Sequence, residues 1–132
     1  MIHASASWTD DDRFLAIASS GHAMVVDAGE KKTAPGPMEL VLVALCSCTA
    51  VDVVTILRKK REPFTGIEVS AEGERAPEPP RVYTAIKLRY RVSGGVSRKA
   101  VEDAVRLSKE KYCSVSAMLQ KTAKVEVEIE LA

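Results

Sequence analysis

The chain has 132 residues, enough for one domain and too few for two ordinary ones, so residues 1–132 are read as a single domain. A formal net charge of +1 and a pI near 7.7 select no charged partner, and nucleic-acid binding, which calls for a clustered basic stripe, is not expected. Three cysteines make no disulfide framework and the polar, acidic start MIHASASWTDDD carries no secretory signal, which together point to a thiol-reduced, cytoplasmic protein.

Residues 1–35 read as short strands and turns. Phe14, Leu15, Ala16, Ile17 and Ala18 form an apolar run, residues 22–27 form a second, and Ser19-Ser20-Gly21 between them predicts a hairpin. Residues 28–36 are a polar loop. Residues 37–60 then read as one long helix holding most of the apolar residues and two of the three cysteines. Residues 40–45 are apolar on every side, which requires burial in a core or in a membrane. Glu39, Ser47, Thr49, Asp52 and Thr55 interrupt the roughly 20 apolar residues that a membrane span needs, so the helix is read as the centre of a compact soluble domain. Pro37 suits its first turn, residues 58–61 place positive charge at the negative end of its dipole, and Pro63 stops it.

Beyond Pro63, Ile67, Val69 and Ala71 alternate with Glu68, Ser70 and Glu72, the pattern of a half-buried strand. Residues 75–80 are proline-rich and cannot lie in a sheet centre. Val82, Thr84, Ile86, Leu88, Tyr90 and Val92 then alternate with Tyr83, Lys87, Arg89 and Arg91, completing an antiparallel ribbon that Ser93-Gly94-Gly95 breaks. Ser97 is a good N-cap for a second helix, with Val101, Ala104, Val105, Ser108 and Tyr112 on one face and Cys113 at or just past its end. Residues 114–120 form a further short helix, and Val125, Val127, Ile129 and Leu131 alternate with glutamates in a closing strand. The class is α+β, antiparallel sheets around a long buried central helix. That helix has more apolar surface than one sheet can cover, which predicts a homodimer.

Thiols are the best candidates for chemistry. Cys46 and Cys48 lie about 200° apart around a helix axis, so CSC is no CxxC redox motif; one can face a cavity while the other packs as a small hydrophobe. If a helix starts at Cys113, its amides would stabilise a thiolate there. A thiolate reduces peroxide by way of sulfenic acid and then a disulfide with a second thiol, and Cys48 with Cys113 is a candidate pair whose contact the spacing does not establish. Asp52, one turn after Cys48, either orients groups near it or is a polar spot on the helix. His22 either lines a cleft or is structural. The two histidines and three cysteines lack zinc-ligand spacing, so no metal is expected, and no glycine-rich phosphate loop is present.

The segment GPMELVLVALCSCTAVDVVTILRKKR, residues 36–61, resembles the central helix of the OsmC/Ohr family of thiol-dependent organic hydroperoxide reductases, and KYCSVSAML, residues 111–119, resembles that family's second cysteine motif. The order of elements agrees along nearly the whole chain, and the helix start is similar to the OsmC-like subgroup with an SPMELVL-type opening. The resemblance implies an OsmC-like fold, an intertwined homodimer and two active sites at the subunit interface. It implies Cys48 as the peroxidatic cysteine and Cys113 as the resolving one, with no cofactor. The implied partners are a small-molecule peroxide and a dithiol reductant, small or protein-borne, lipoyl-linked among the candidates. The peroxidases carry a glutamate directly after the proline; here Met38 holds that position and Glu39 follows, about 100° further round the axis. Glu39 is then either a supporting residue or a first-turn acid. The family also uses an arginine from the N-terminal strands, and Arg13 is the only arginine before the helix.

The first hypothesis is therefore an enzyme, an OsmC-like peroxidase acting on organic hydroperoxides or hydrogen peroxide in oxidative-stress defence. The second is a binding protein on the same scaffold, its interface pocket holding a small apolar or electrophilic ligand. A third is a structural protein with three inert thiols, against which the resemblance argues. Thiol titration separates them, since a peroxidatic cysteine ionises well below the usual ~8.5.

Overall fold

The computed structural model describes all residues, Met1–Ala132, and the chain divides into two compact units, Met1–Val41 and Leu42–Ala132. The first is an antiparallel meander in the order β1 (Ala4–Asp10), β2 (Arg13–Ala18), β3 (Ala23–Asp27). The predicted hairpin is β2–β3, turned by Gly21 at φ 83°. Strand β1 has no counterpart in the apolar pattern: all seven of its residues are exposed, and it is held by backbone pairing to β2. The loop after β3 is tied down by Asp27. One carboxylate oxygen accepts the Gly29 N–H at 2.8 Å; the other accepts the Thr33 N–H at 2.9 Å and the Thr33 hydroxyl at 2.7 Å. These bonds hold the Asp27 carboxyl down at about 2.

The long helix is α1 (Pro37–Lys59), one residue shorter than expected. Its start carries one half of a capping box, since Gly36 has no side chain to reciprocate. Pro37 takes the first helical position, and the Glu39 carboxylate reaches back to accept the Gly36 N–H at 3.0 Å. Its end is a Schellman cap. Arg61 sits at φ 57°, Glu62 N–H bonds Leu57 C=O, and Arg61 N–H bonds Arg58 C=O, both at 3.0 Å.

In the second unit, β4 (Gly66–Arg75) and β5 (Tyr83–Ser93) form the predicted antiparallel ribbon. The inward face of β5 differs from the alternation at its start: Val82 lies exposed before the strand, Tyr83 is buried and Thr84 is exposed. A register irregularity opposite Glu74/Arg75 shifts the phase at the strand's start, and from Ile86 onward the predicted face is buried. Strand β6 (Lys124–Leu131) lies beside β5 and runs parallel to it, so this sheet is mixed where a wholly antiparallel one was expected. The cause is the long helical crossover between β5 and β6, the connection that parallel neighbours require. That crossover comprises α2 (Arg98–Leu107), capped by Ser97 Oγ accepting the Ala100 N–H, then a π-helical turn over Ser108–Tyr112, then α3 (Ser114–Leu119).

The core of this unit is built from Leu45, Val53 and Leu57 of α1, Ile86, Leu88, Tyr90 and Val92 of β5, and Val101, Ala104 and Val105 of α2. By length and composition α1 could cross a membrane, with mean hydropathy 2.4. Its stripe Leu45, Thr49, Val53, Leu57 recurs every four residues and is buried in this core, so it is a core helix. The burial is one-sided: Val43 and Val51 on the same helix are 57% and 64% exposed.

Candidate functional site

Cys48 and Asp52 are four residues apart and so lie on one side of α1, beside the buried stripe. The second thiol is delivered by the crossover. At the end of α2 the helix widens to the π turn, closed by the Cys113 N–H donating to Ser108 C=O at 2.8 Å. Such a turn inserts one extra residue per loop of backbone and recurs at functional sites. Cys113 then leaves the helical conformation, at φ −76° and ψ 103°, and caps α3, its sulfur accepting the Ser116 N–H at 3.3 Å. Its side-chain partner across the site is Cys48. The fold therefore brings together the two thiols that sequence spacing left unconnected.

The electrostatics of Cys113 run against the expectation of a thiolate stabilised by helix amides. Burial pushes its thiol up to about 11; the Ser116 N–H opposes this, while Cys48 and Asp52 add to it. One backbone N–H at the start of a six-residue helix does not offset removal from water. Cys113 thus keeps its proton at neutral pH and can offer it to the Cys48 sulfur. Cys46 points elsewhere, into a groove of about 430 Å³ with Leu42, Val43, Ala50, Val69 and Ala71, and burial raises its thiol too. Both are free thiols.

Three hydroxyls join Asp52 behind the thiols. Tyr90 Oη and Thr49 Oγ1 are 2.7 Å apart, Thr49 Oγ1 and Ser108 Oγ 2.7 Å apart, and Ser108 Oγ donates to Asp52 Oδ2 at 2.8 Å. Each hydroxyl has a single hydrogen, so the end of the chain fixes its direction. Ser108 spends its hydrogen on Asp52 and accepts from Thr49; Thr49 then accepts from Tyr90. Burial holds the Tyr90 phenol up at about 12, in keeping with its place as the terminal donor. No buried side-chain N or O lacks a partner. Thr49, Ser108 and Tyr90 were not singled out from the sequence. Part of the signal was present: Ser108 and Tyr90 are hydroxyls on faces expected to be buried, Thr49 is a polar interruption of the central helix, and buried hydroxyls must find one another or the backbone.

The remaining candidates have other employment. Glu39 caps the start of α1 by accepting the Gly36 N–H, the first-turn role weighed for it. Arg13 holds Asp10 with two of its nitrogens, Nε to Oδ1 at 3.0 Å, and also reaches Asp11 at 3.2 Å. His22 lies exposed at the β2–β3 turn, its Nδ1 3.1 Å from Ser20 Oγ. On the Asp52 side a cleft of about 470 Å³ opens between α1 and the crossover, lined by Thr55, Ile56, Leu107 and Tyr112 with Lys59 and Lys60. No cluster of three metal-binding side chains is present.

The family model for OsmC-like proteins matches residues 29–128, which takes in both thiols and the whole hydroxyl chain. The chain belongs to the OsmC-like family. Among its relatives is Protein YhfA of Escherichia coli strain K12, 42% identical over 125 residues, which are 94% of this chain and 93% of that protein. A hypothetical protein from Aquifex aeolicus VF5 is 34% identical and superposes with a TM-score of 0.91 over 100% of this chain and 96% of its own. An organic hydroperoxide resistance protein from Elizabethkingia anophelis shares the fold at 14% identity, with a TM-score of 0.80 over 100% of this chain and 96% of its own. The OsmC-like fold of the α+β class read from the sequence is thus the fold of this protein.

Proposed function

We propose that this OsmC-like protein is a thiol-dependent peroxidase that reduces organic hydroperoxides or hydrogen peroxide in oxidative-stress defence. The observation that carries the reading is the contact between Cys48 and a protonated Cys113. The Cys48 sulfur attacks the outer peroxide oxygen. The O–O bond breaks, the alcohol or water leaves with a proton, and Cys48 becomes a sulfenic acid. Cys113 attacks that sulfur, and the disulfide forms as water departs. A dithiol then reduces the pair, leaving as its own disulfide through thiol–disulfide exchange. No bound cofactor enters this cycle.

The working form in this reading is a cytoplasmic homodimer, in which a second copy covers the exposed flank of α1 at Val43 and Val51. A second reading has a specific observation behind it. Glu39 and Arg13, the residues offered for the family's supporting pair, are engaged in a helix cap and a turn. A protein without that pair would bind a small apolar or electrophilic ligand on the same scaffold.

The experiment is paired substitution. Cys48→Ser abolishes peroxide consumption, whereas Cys113→Ser retains a single turnover and cannot recycle. Full activity in Cys48→Ser would rule out the assigned roles.

A further inference from the structure

We propose that the buried chain Tyr90–Thr49–Ser108–Asp52 is the positioning device for disulfide closure, holding the π turn against α1 so that the Cys113 sulfur meets Cys48. The proposal rests on the peroxidase reading for its physiological meaning, and on geometry for its substance.

Ser108 is the pivot. It is fully buried and opens the π turn. Its carbonyl accepts the Cys113 N–H, so a displacement of Ser108 is passed to Cys113 through one backbone bond of 2.8 Å. Its hydroxyl is clamped on the other side by two residues of α1, Thr49 at 2.7 Å and Asp52 at 2.8 Å. Those two residues follow Cys48 by one and four positions, so the same rigid helix carries the nucleophile and the clamp. Tyr90 on β5 completes Thr49 and ties the helix to the sheet. The next residue of the turn is fixed separately: Lys109 Nζ donates to Val125 C=O at 2.8 Å, and Gln120 Nε2 to Lys109 C=O at 3.2 Å. The π turn is thereby tied to β6 and α3 through Lys109, and its side-chain hydrogen bonds to the thiol-bearing helix run through Ser108.

In closure the S–S bond forms, the S–O bond of the Cys48 sulfenic acid and the S–H bond of Cys113 break, and the proton leaves with the hydroxide as water. The Cys113 sulfur is oxidised and the sulfenic sulfur reduced, the peroxide having supplied the oxidising equivalents. This step depends on the approach of two sulfurs, and a misplacement of about 1 Å costs up to about a hundredfold in such a step. Attack of Cys48 on peroxide forms no bond to the Cys113 sulfur, so it is far less sensitive than closure to where Cys113 sits. The hydroxyl chain therefore acts chiefly on the second step.

The test is single-turnover oxidation by cumene hydroperoxide with free thiols counted through time, in wild type, Ser108→Ala, Tyr90→Phe, Asp52→Asn and Asp52→Ala. Ser108→Ala is expected to leave the first thiol's loss within about twofold and to slow the second's at least about tenfold, with sulfenic acid trapped by dimedone in the interval. Tyr90→Phe, remote from the turn and close in shape, slows the second phase by a smaller factor. Asp52→Asn keeps an oxygen for Ser108 and behaves as wild type, while Asp52→Ala behaves as Ser108→Ala. Equal slowing of both phases, or no slowing in any variant, overturns the proposal. A parallel measurement separates it from the peroxidase reading. The Cys48–Cys113 disulfide is equilibrated with glutathione redox buffers, without peroxide. Positioning predicts an effective concentration at least about tenfold lower in Ser108→Ala than in wild type. An unchanged value overturns the proposal even if the protein consumes no peroxide, and a lowered value upholds it in that case.

Discussion

Cys113 is where the local chemistry of this protein is most sharply defined. A thiol at the head of a helix is ordinarily expected to ionise easily, yet here desolvation outweighs the single N–H bond from Ser116. With its folded value near 11 against a usual 9.0, the protonated thiol's contribution to stability is full below pH 9 and is lost as pH rises through about 11. The same shift governs reactivity. Site-resolved alkylation with iodoacetamide should find Cys113 nearly silent at pH 8, its rate climbing until about pH 11; half-maximal labelling below pH 9 would show that burial does not control this thiol. At this scale the sequence was readable for residue type and poor for partnership. Cys48 and Cys113 stand out as thiols, but a separation along the chain says nothing of distance in space. Glu39 and Arg13 are charged residues in plausible places, and only the fold reveals that each already has a local partner.

At the scale of elements, helix α1 was legible almost from end to end because every signal agrees: proline at its start, an apolar run over residues 40–45, basic residues at its end and proline beyond. Its termination holds one strained residue. Arg61 adopts φ 57°, a conformation costing a residue with a Cβ about 1–2 kcal/mol. Arg61→Gly is therefore expected to stabilise the protein by about 1 kcal/mol and raise Tm by a few degrees; a lower Tm by calorimetry would mean that the arginine side chain contributes more than the strain it imposes. The elements that escaped the pattern did so for identifiable reasons. Strand β1 buries nothing, so no alternation marks it. The phase slip at Tyr83 comes from a register irregularity, which periodicity does not encode. The π turn has the composition of an ordinary helix end, and its extra residue is visible only in the bond from Cys113 to Ser108. The parallel sense of β6 follows from the crossover before it rather than from its own residues.

For the molecule as a whole, the helix that organises the chain is covered on one side only. Thr49, Leu45, Val53 and Leu57 are buried, whereas Val43 and Val51 are largely bare, and the groove at Cys46 is apolar. A surface of this kind on the central helix is expected to meet a second copy. Light scattering should give twice the 14.3 kDa chain mass, and Val51→Glu should shift the population towards a single chain at micromolar concentration. A wild-type protein of single-chain mass would contradict the homodimer. The family model spans the site, taking in both thiols and the hydroxyl chain.

The most direct measurement is stopped-flow oxidation of the fully reduced wild-type protein by cumene hydroperoxide and by hydrogen peroxide, with free thiols counted before and after. The account predicts rapid loss of two thiols per chain, faster with the organic peroxide, and a disulfide between Cys48 and Cys113 in the product. Slow loss, or loss of a single thiol without that disulfide, would contradict it and would turn attention to ligands of the scaffold.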